Sequence, residues 1–320
     1  MLQQTRVDTV LPYFHRFLKE VPDVVSLAAM EEDRLFKLWE GLGYYNRCKN
    51  MHLAAKRMVE SYQGTLPDTY EALLDLPGVG PYTAGAIASI CYGQRVVAVD
   101  GNVLRVIARV FGMEEDIGLG ATGKTITQKV REMMPEEDPG EFNQGLMELG
   151  ATVCLPSGSP LCARCPWVGD CISYKQGWIQ RIPVKEKQKP RRVEQRTVLV
   201  LVCGNLVALA KRPDRGLLSG LWEFPNEKGT LSIEEATLWA TRRSIDVVRV
   251  APLGSAKHIF SHVEWQMIGY QMETSVPSTG EPWQWVTLED VQHRFAIPTA
   301  FEFYRNTLGS SQADVNERGE

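Results

Sequence analysis

Four cysteines, Cys154, Cys162, Cys165 and Cys171, constrain this chain more than any other feature, with the spacing C-x7-C-x2-C-x5-C. Pro156, Gly158, Pro160 and Pro166 break helix between and beside them, so the backbone there must loop and can turn four sulfurs towards one centre. Thiolate donors suit zinc or an iron–sulfur cluster, and spacing alone leaves both open. Disulfides fit badly. Met1 to Arg6 lacks the basic-then-apolar order of a secretory signal, which predicts a reducing, cytoplasmic setting. Cys48, Cys91 and Cys203 are scattered in apolar contexts and are expected to be buried core thiols.

The 320 residues leave room for two cored domains, and no apolar run approaches the length of a membrane span, so no membrane partner is expected. A formal charge of −4 argues against a general nucleic-acid coat. Any nucleic-acid contact must then be local. Segment 181 to 196 is one place for it, with Arg181, Lys185, Lys187, Lys189, Arg191, Arg192 and Arg196 against only Glu186 and Glu194. It reads as a basic linker or as a strap on phosphates.

Up to about residue 153 the apolar residues recur at helical steps, as in Val7, Val10, Leu11, Phe14 and Leu18. Further helices are expected over His52 to Tyr62, Tyr70 to Leu76, Tyr82 to Cys91, Val103 to Phe111, Ile126 to Met134 and Phe142 to Val153. The texture then changes. Thr197 to Val202, a Gly204-Asn205 turn and Leu206 to Ala210 predict a β-hairpin, followed by a helix from Ile233, extended runs from Val247 to Val276 and a helical end. This half is a small α+β domain.

Between two helices lies Leu76-Pro77-Gly78-Val79-Gly80-Pro81-Tyr82, where the glycines permit a tight corner and Pro81 opens the next helix. Amides at such a corner can grip a phosphate without any lysine. Eighteen residues after Tyr82 comes Asp100, in Val99-Asp100-Gly101-Asn102, placed either to cap a helix or to serve chemistry.

Hairpin, aspartate and cysteines together resemble the helix-hairpin-helix DNA glycosylases of the endonuclease III superfamily, and the MutY-type adenine DNA glycosylases in particular. Met1-Leu2-Gln3-Gln4-Thr5, Gly41-Leu42-Gly43-Tyr44-Tyr45, Gly220-Leu221-Trp222-Glu223-Phe224-Pro225 and Phe260-Ser261-His262 extend that likeness over nearly the whole chain. It implies a mainly α helix-hairpin-helix glycosylase domain over 1–177 with a [4Fe-4S] loop at 154–171 and a linker at 178–196. A small α+β Nudix-like, MutT-like domain for 8-oxoguanine recognition would cover 197–308, and a disordered tail 309–320. The cysteine loop has one residue more than the family pattern between Cys154 and Cys162.

The resemblance further implies removal of adenine mispaired with 8-oxoguanine or guanine in double-stranded DNA, by a monomer working in the cytoplasm at a bacterial-type nucleoid. Asp100 and Tyr82 would be catalytic; Gln3, Gln4, Thr5, Tyr44, Leu76, Gly78, Val79 and Gly80 would bind DNA; Phe260, Ser261 and His262 would read the 8-oxoguanine strand. Tyr82 stands where strand-cleaving members carry a lysine, and a phenol forms no imine, which favours a monofunctional hydrolase. Ala240-Thr241-Arg242-Arg243-Ser244 lacks the acidic helix of a Nudix hydrolase. The family's general-acid glutamate precedes the residue matching Met1, so weak or no excision is expected of the chain as written. Its alternative role is an impaired fragment that binds lesion DNA.

Overall fold

The computed structural model describes residues 1–186, 190–278 and 282–310; Lys187, Lys189 and residues 311–320 of the expected tail lie outside them. The chain divides into two compact units, Met1–His52 with Lys189–Glu320, and Leu53–Gln188. Among the described residues no helix is long and apolar enough to cross a membrane.

The first unit begins with α1 (Val7–Glu20), α2 (Val24–Ala29) and α3 (Glu32–Trp39), and α4 (Asn46–Tyr62) runs from it into the second. The helix expected from His52 thus starts six residues earlier, at Asn46, within a polar turn that carries no apolar periodicity.

The second unit continues with α5 (Tyr70–Leu74), α6 (Pro81–Tyr92), α7 (Gly101–Val110), α8 (Gly120–Met133), α9 (Pro139–Glu148) and the short α10 (Ile172–Lys175). Local chemistry sets their ends. Thr69 caps α5 through its hydroxyl, Pro81 opens α6, and Gly93 closes α6 in the left-handed region at φ +64°. Ile107, Ile126, Val130 and Leu146 form the core between α7, α8 and α9. Helices α6 and α9 touch at Gly140, where a Cβ would meet the Ser89 carbonyl oxygen at 2.8 Å and Ile90 Cα at 2.9 Å. Cys91 departs from expectation: it is exposed on the last turn of α6, beside exposed Ile90 and Tyr92, whereas Cys48 is buried.

The rest of the first unit is a seven-stranded mixed sheet of β1 (Arg192–Cys203), β2 (Leu206–Lys211), β3 (Trp222–Glu223), β4 (Asn226–Lys228), β5 (Val247–Ile259), β6 (Val263–Thr274) and β7 (Trp283–Thr287). The order is β3-β2-β1-β6-β5, with β4 on β1 and β7 on β2. The expected hairpin is present, Val202 opposite Val207 and Cys203 opposite Leu206 across Gly204-Asn205. Alternation along β1 sends Val198 and Val200 to one face and Leu199 and Leu201 to the other, giving the sheet two apolar cores. α11 (Ile233–Thr241) covers the second face, and α12 (Leu288–His293) and α13 (Glu302–Ser310) cover the first. α3 is tied to this unit by Glu40, whose Oε1 accepts from the Ile297 amide at 3.0 Å and Arg305 Nη1 at 2.9 Å.

Candidate active site

Asp100 stands at the N-terminus of α7 and caps it: Oδ1 accepts from the amides of Asn102 and Val103, both at 2.8 Å. Oδ2 accepts from Asn102 Nδ2 at 2.9 Å. The structural and chemical readings of this aspartate are therefore compatible, because the capping bonds hold the carboxylate in one orientation while one lone pair, on Oδ2, stays available.

Two devices fix the backbone that leads into Asp100. Gly85 on α6 lies so close to Val97 that a Cβ would come within 2.3 Å of its carbonyl oxygen. Fully buried Asn143 on α9 accepts from the Ala98 amide at 3.1 Å and donates to Val96 O at 2.9 Å and Ser89 Oγ at 2.8 Å. An asparagine satisfied on three sides inside a core specifies one position for segment 96–98. Nothing in the sequence around Asn143 signals this duty.

Tyr82, on the first turn of α6, donates its hydroxyl to Met147 Sδ on α9 at 3.2 Å. Burial, and to a lesser degree the Asp100 charge, push its phenol pKa up. In the hairpin, Gly78 adopts φ +77°, a conformation that favours glycine. Val79 N donates to Leu76 O at 3.1 Å and closes the turn. The amides of Gly78 and Gly80 have no protein acceptor among the described residues. Both glycines are exposed, and a Cβ on Gly80 would meet nothing within 4 Å. Leu76 is 3% exposed, so its side chain belongs to the core and only its carbonyl serves the turn. An open groove beside Tyr82 carries Arg95, Lys124 and Arg131, basic residues that no sequence motif singles out.

The four clustered cysteines are free thiols lining one small cavity with Val106, Arg109 and Leu149. Burial, and the other thiols around it, push the Cys162 pKa up; burial likewise raises that of Cys171. Deprotonating the set therefore calls for compensating positive charge. Arg109 supplies part of it, donating from Nη1 to Cys154 Sγ at 3.3 Å. Among the described residues no group of His, Cys, Asp or Glu is drawn tightly enough to hold a single ion. Four thiols lining one cavity are a donor set that zinc or an iron–sulfur cluster takes. Arg105 connects this loop to the aspartate: Nε donates to Cys154 O at 2.9 Å, and Nη2 to Gly150 O at 2.8 Å and Asn102 Oδ1 at 3.0 Å.

The remaining predicted residues lie in the first unit. Gln3 and Gln4 are exposed, Thr5 is partly buried, and Tyr44 is 53% exposed, an unusual state for a tyrosine. Gln4 and Tyr44 are both left-handed, at φ +57° and +47°. Ser261 and His262 form the exposed tip between β5 and β6. Phe260 anchors that tip edge-on against Trp265, with ring centroids 4.9 Å apart. In the basic segment, Arg181 pairs with Glu114, Arg191 donates to Phe260 O and Arg192 pairs with Glu194. Arg196 is committed inside the fold, 4.1 Å over the Trp265 ring and bonded to Asn226. On α11, Glu235 is held in a capping box with Ser232, and Glu234 accepts from the Ser232 hydroxyl.

Residues 1–136 match the HhH-GPD superfamily of base excision DNA repair proteins, and residues 197–305 match the NUDIX domain family. The chain is 34% identical to an adenine DNA glycosylase of Mus musculus, over 94% of this chain and 68% of that protein. It is 34% identical to one of Homo sapiens, over 99% and 69%. A third, of Schizosaccharomyces pombe, is 31% identical over 96% and 78%.

Proposed function

Because the chain belongs to the adenine DNA glycosylase family, we propose that it hydrolyses the N-glycosidic bond of adenine mispaired with 8-oxoguanine or guanine in duplex DNA. The observation that carries this reading is the fixed carboxylate of Asp100, capped by the first amides of α7 and braced by Asn102.

The target adenine must leave the helical stack before its bond to the sugar can be reached. As that bond breaks, the sugar becomes cationic, and a preorganised anion beside it lowers the barrier. Asp100 is that anion. Its bonds to the start of α7 are made before substrate arrives, so little reorganisation is needed at the moment of reaction. The Tyr82 phenol, which forms no imine, leaves the backbone uncut. The open Gly78 and Gly80 amides take the phosphates of the same strand. Gln4 and Tyr44 fill the space left by the extruded base and stack on its neighbours, Gln3 and Thr5 bind the DNA, and the Phe260-Ser261-His262 tip reads the opposite strand.

Cys154, Cys162, Cys165 and Cys171, which line one cavity, would hold a [4Fe-4S] cluster that would tie the 154–171 loop together. The working domains are the glycosylase domain 1–177, the linker 178–196 and the Nudix-like domain 197–308, the last serving recognition without hydrolysis. The test is single-turnover excision from an 8-oxoguanine:adenine duplex, against an adenine:thymine control. It uses the polypeptide that starts at Met1 and one carrying a preceding helical turn. Excision abolished by Asp100→Asn supports the reading; excision insensitive to it ends the reading.

A further inference from the structure

Arg47 lies in the first turn of α4 and directs its guanidinium away from that helix into two separate loops. Nη1 donates to Met1 O at 2.7 Å and also to Gln3 O. Nη2 donates to Leu42 O and Gly43 O, each at 3.3 Å. The same group lies 5.4 Å over the Tyr44 ring and 5.6 Å over that of Trp39. Nε is closed off from solvent without a partner.

Each loop held this way contains a left-handed residue other than glycine, Gln4 at φ +57° and Tyr44 at φ +47°. A bulky side chain resists that conformation at a cost of about 1–2 kcal/mol per residue. The conformation persists only where the surroundings enforce it. In both loops the enforcing contacts converge on Arg47, with Trp39 adding an indole N–H to Gly43 O at 3.1 Å. The loops are some forty residues apart in sequence and share one cation.

We propose that Arg47 is a positioning residue that sets Gln4 and Tyr44 together as one rigid reader, so that discrimination of the lesion pair depends on the guanidinium that the two loops share. The proposal rests on the reading of Gln4 and Tyr44 as lesion contacts given above. Its physical core is the fork of the guanidinium: a lysine ammonium keeps the charge but presents its donors from one nitrogen and cannot span four carbonyls in two loops.

Arg47→Lys is the test. Affinity is measured at one salt concentration for an 8-oxoguanine:adenine duplex and for an undamaged duplex. We expect about a tenfold loss on the lesion duplex, less than a twofold change on the undamaged one, and almost no further loss when Arg47→Lys is added to the Gln4→Ala, Tyr44→Ala double variant. Equal losses on both duplexes, or none, overturn the proposal. Hydrogen exchange in the free wild-type protein gives an answer even where the variant fails to fold. The Thr5 amide, bonded to Leu2 O, and the Leu42 amide, bonded to Trp39 O, should share one dependence on denaturant. Different dependences overturn the coupling. Lesion affinity unaffected by both Gln4→Ala and Tyr44→Ala would instead reject the lesion-contact reading, while the exchange experiment would still judge the clamp.

Discussion

Asn102 holds Asp100 from the side: its Nδ2 donates to the carboxylate Oδ2 at 2.9 Å, while its own Oδ1 accepts from Arg105 Nη2 at 3.0 Å. The amide orientation is thereby fixed by a donor that reaches the cysteine loop through Cys154 O. Asn102→Ala frees one carboxylate oxygen and leaves Arg105 short of an acceptor. We expect about a tenfold slower excision step, equivalent to about 1.4 kcal/mol in the barrier. Affinity for the lesion duplex should be unchanged, because the hairpin is untouched. A rate equal to wild type in single-turnover kinetics would show that the bond is ornamental.

Substitutions at Asp100 should separate its two duties. Asparagine is as good a cap as aspartate, so Asp100→Asn should keep the capping contribution while removing the charge and, because its amide nitrogen faces the Asn102 Nδ2 donor, the bond to Asn102. Asp100→Ala should lose the charge and also about 1 kcal/mol of stability from the missing cap. Both should slow excision by at least about 10²-fold, the low end of the loss expected for a positioned catalytic group. Thermal melts beside the kinetics check the pair, and equal melting temperatures for the two variants would contradict the capping geometry.

The parts legible in the sequence were those written in consecutive residues. The hairpin glycines, the cysteine run, the Gly204-Asn205 turn and Asp100 each sit in a short segment whose chemistry forces its geometry. What was hidden depends on approach in space. Asn143 is an ordinary polar residue until α9 packs on α6 and brings it beneath Val96 and Ala98. Arg47 reads as one more helical charge until two left-handed loops present their carbonyls to it. Cys91 was misplaced because an apolar neighbourhood in sequence says nothing about which turn of α6 meets solvent.

The basic segment should divide by burial. Lys185, Arg191 and Arg192 are exposed, so changing them to glutamine should flatten the salt dependence of DNA binding by up to about 0.9 in the log–log slope for each phosphate left without its cation. Arg196 is stacked on Trp265 and paired with Glu194, so Arg196→Gln should lower stability and leave that slope alone. Fluorescence anisotropy across a salt series, with melts in parallel, distinguishes the two; an unchanged slope in the triple variant removes the strap.

Cys162→Ser should remove one thiolate from the shared cavity. Anaerobically purified wild-type protein is expected to show iron–sulfur visible absorption, and the variant to lose most of it and become cleavable by protease within 154–171. A colourless wild-type protein with one bound zinc per chain would replace the cluster by a mononuclear site.

Tyr82 offers the strongest chemical contrast. Its hydroxyl is occupied by Met147 Sδ, so Tyr82→Phe should cost only a few-fold in excision. Tyr82→Lys puts a primary amine where the phenol stood, in the site proposed to receive the sugar. An amine there can attack the sugar's anomeric carbon once adenine has left and form an imine. The neighbouring Asp100 charge favours the protonated ammonium, which slows the attack, so the variant should work better as pH rises towards the amine's pKa. Borohydride should then trap a covalent protein–DNA adduct in Tyr82→Lys and none in wild type. Absence of the adduct at every pH, in a variant that still binds the duplex, would mean that position 82 does not face the reacting sugar.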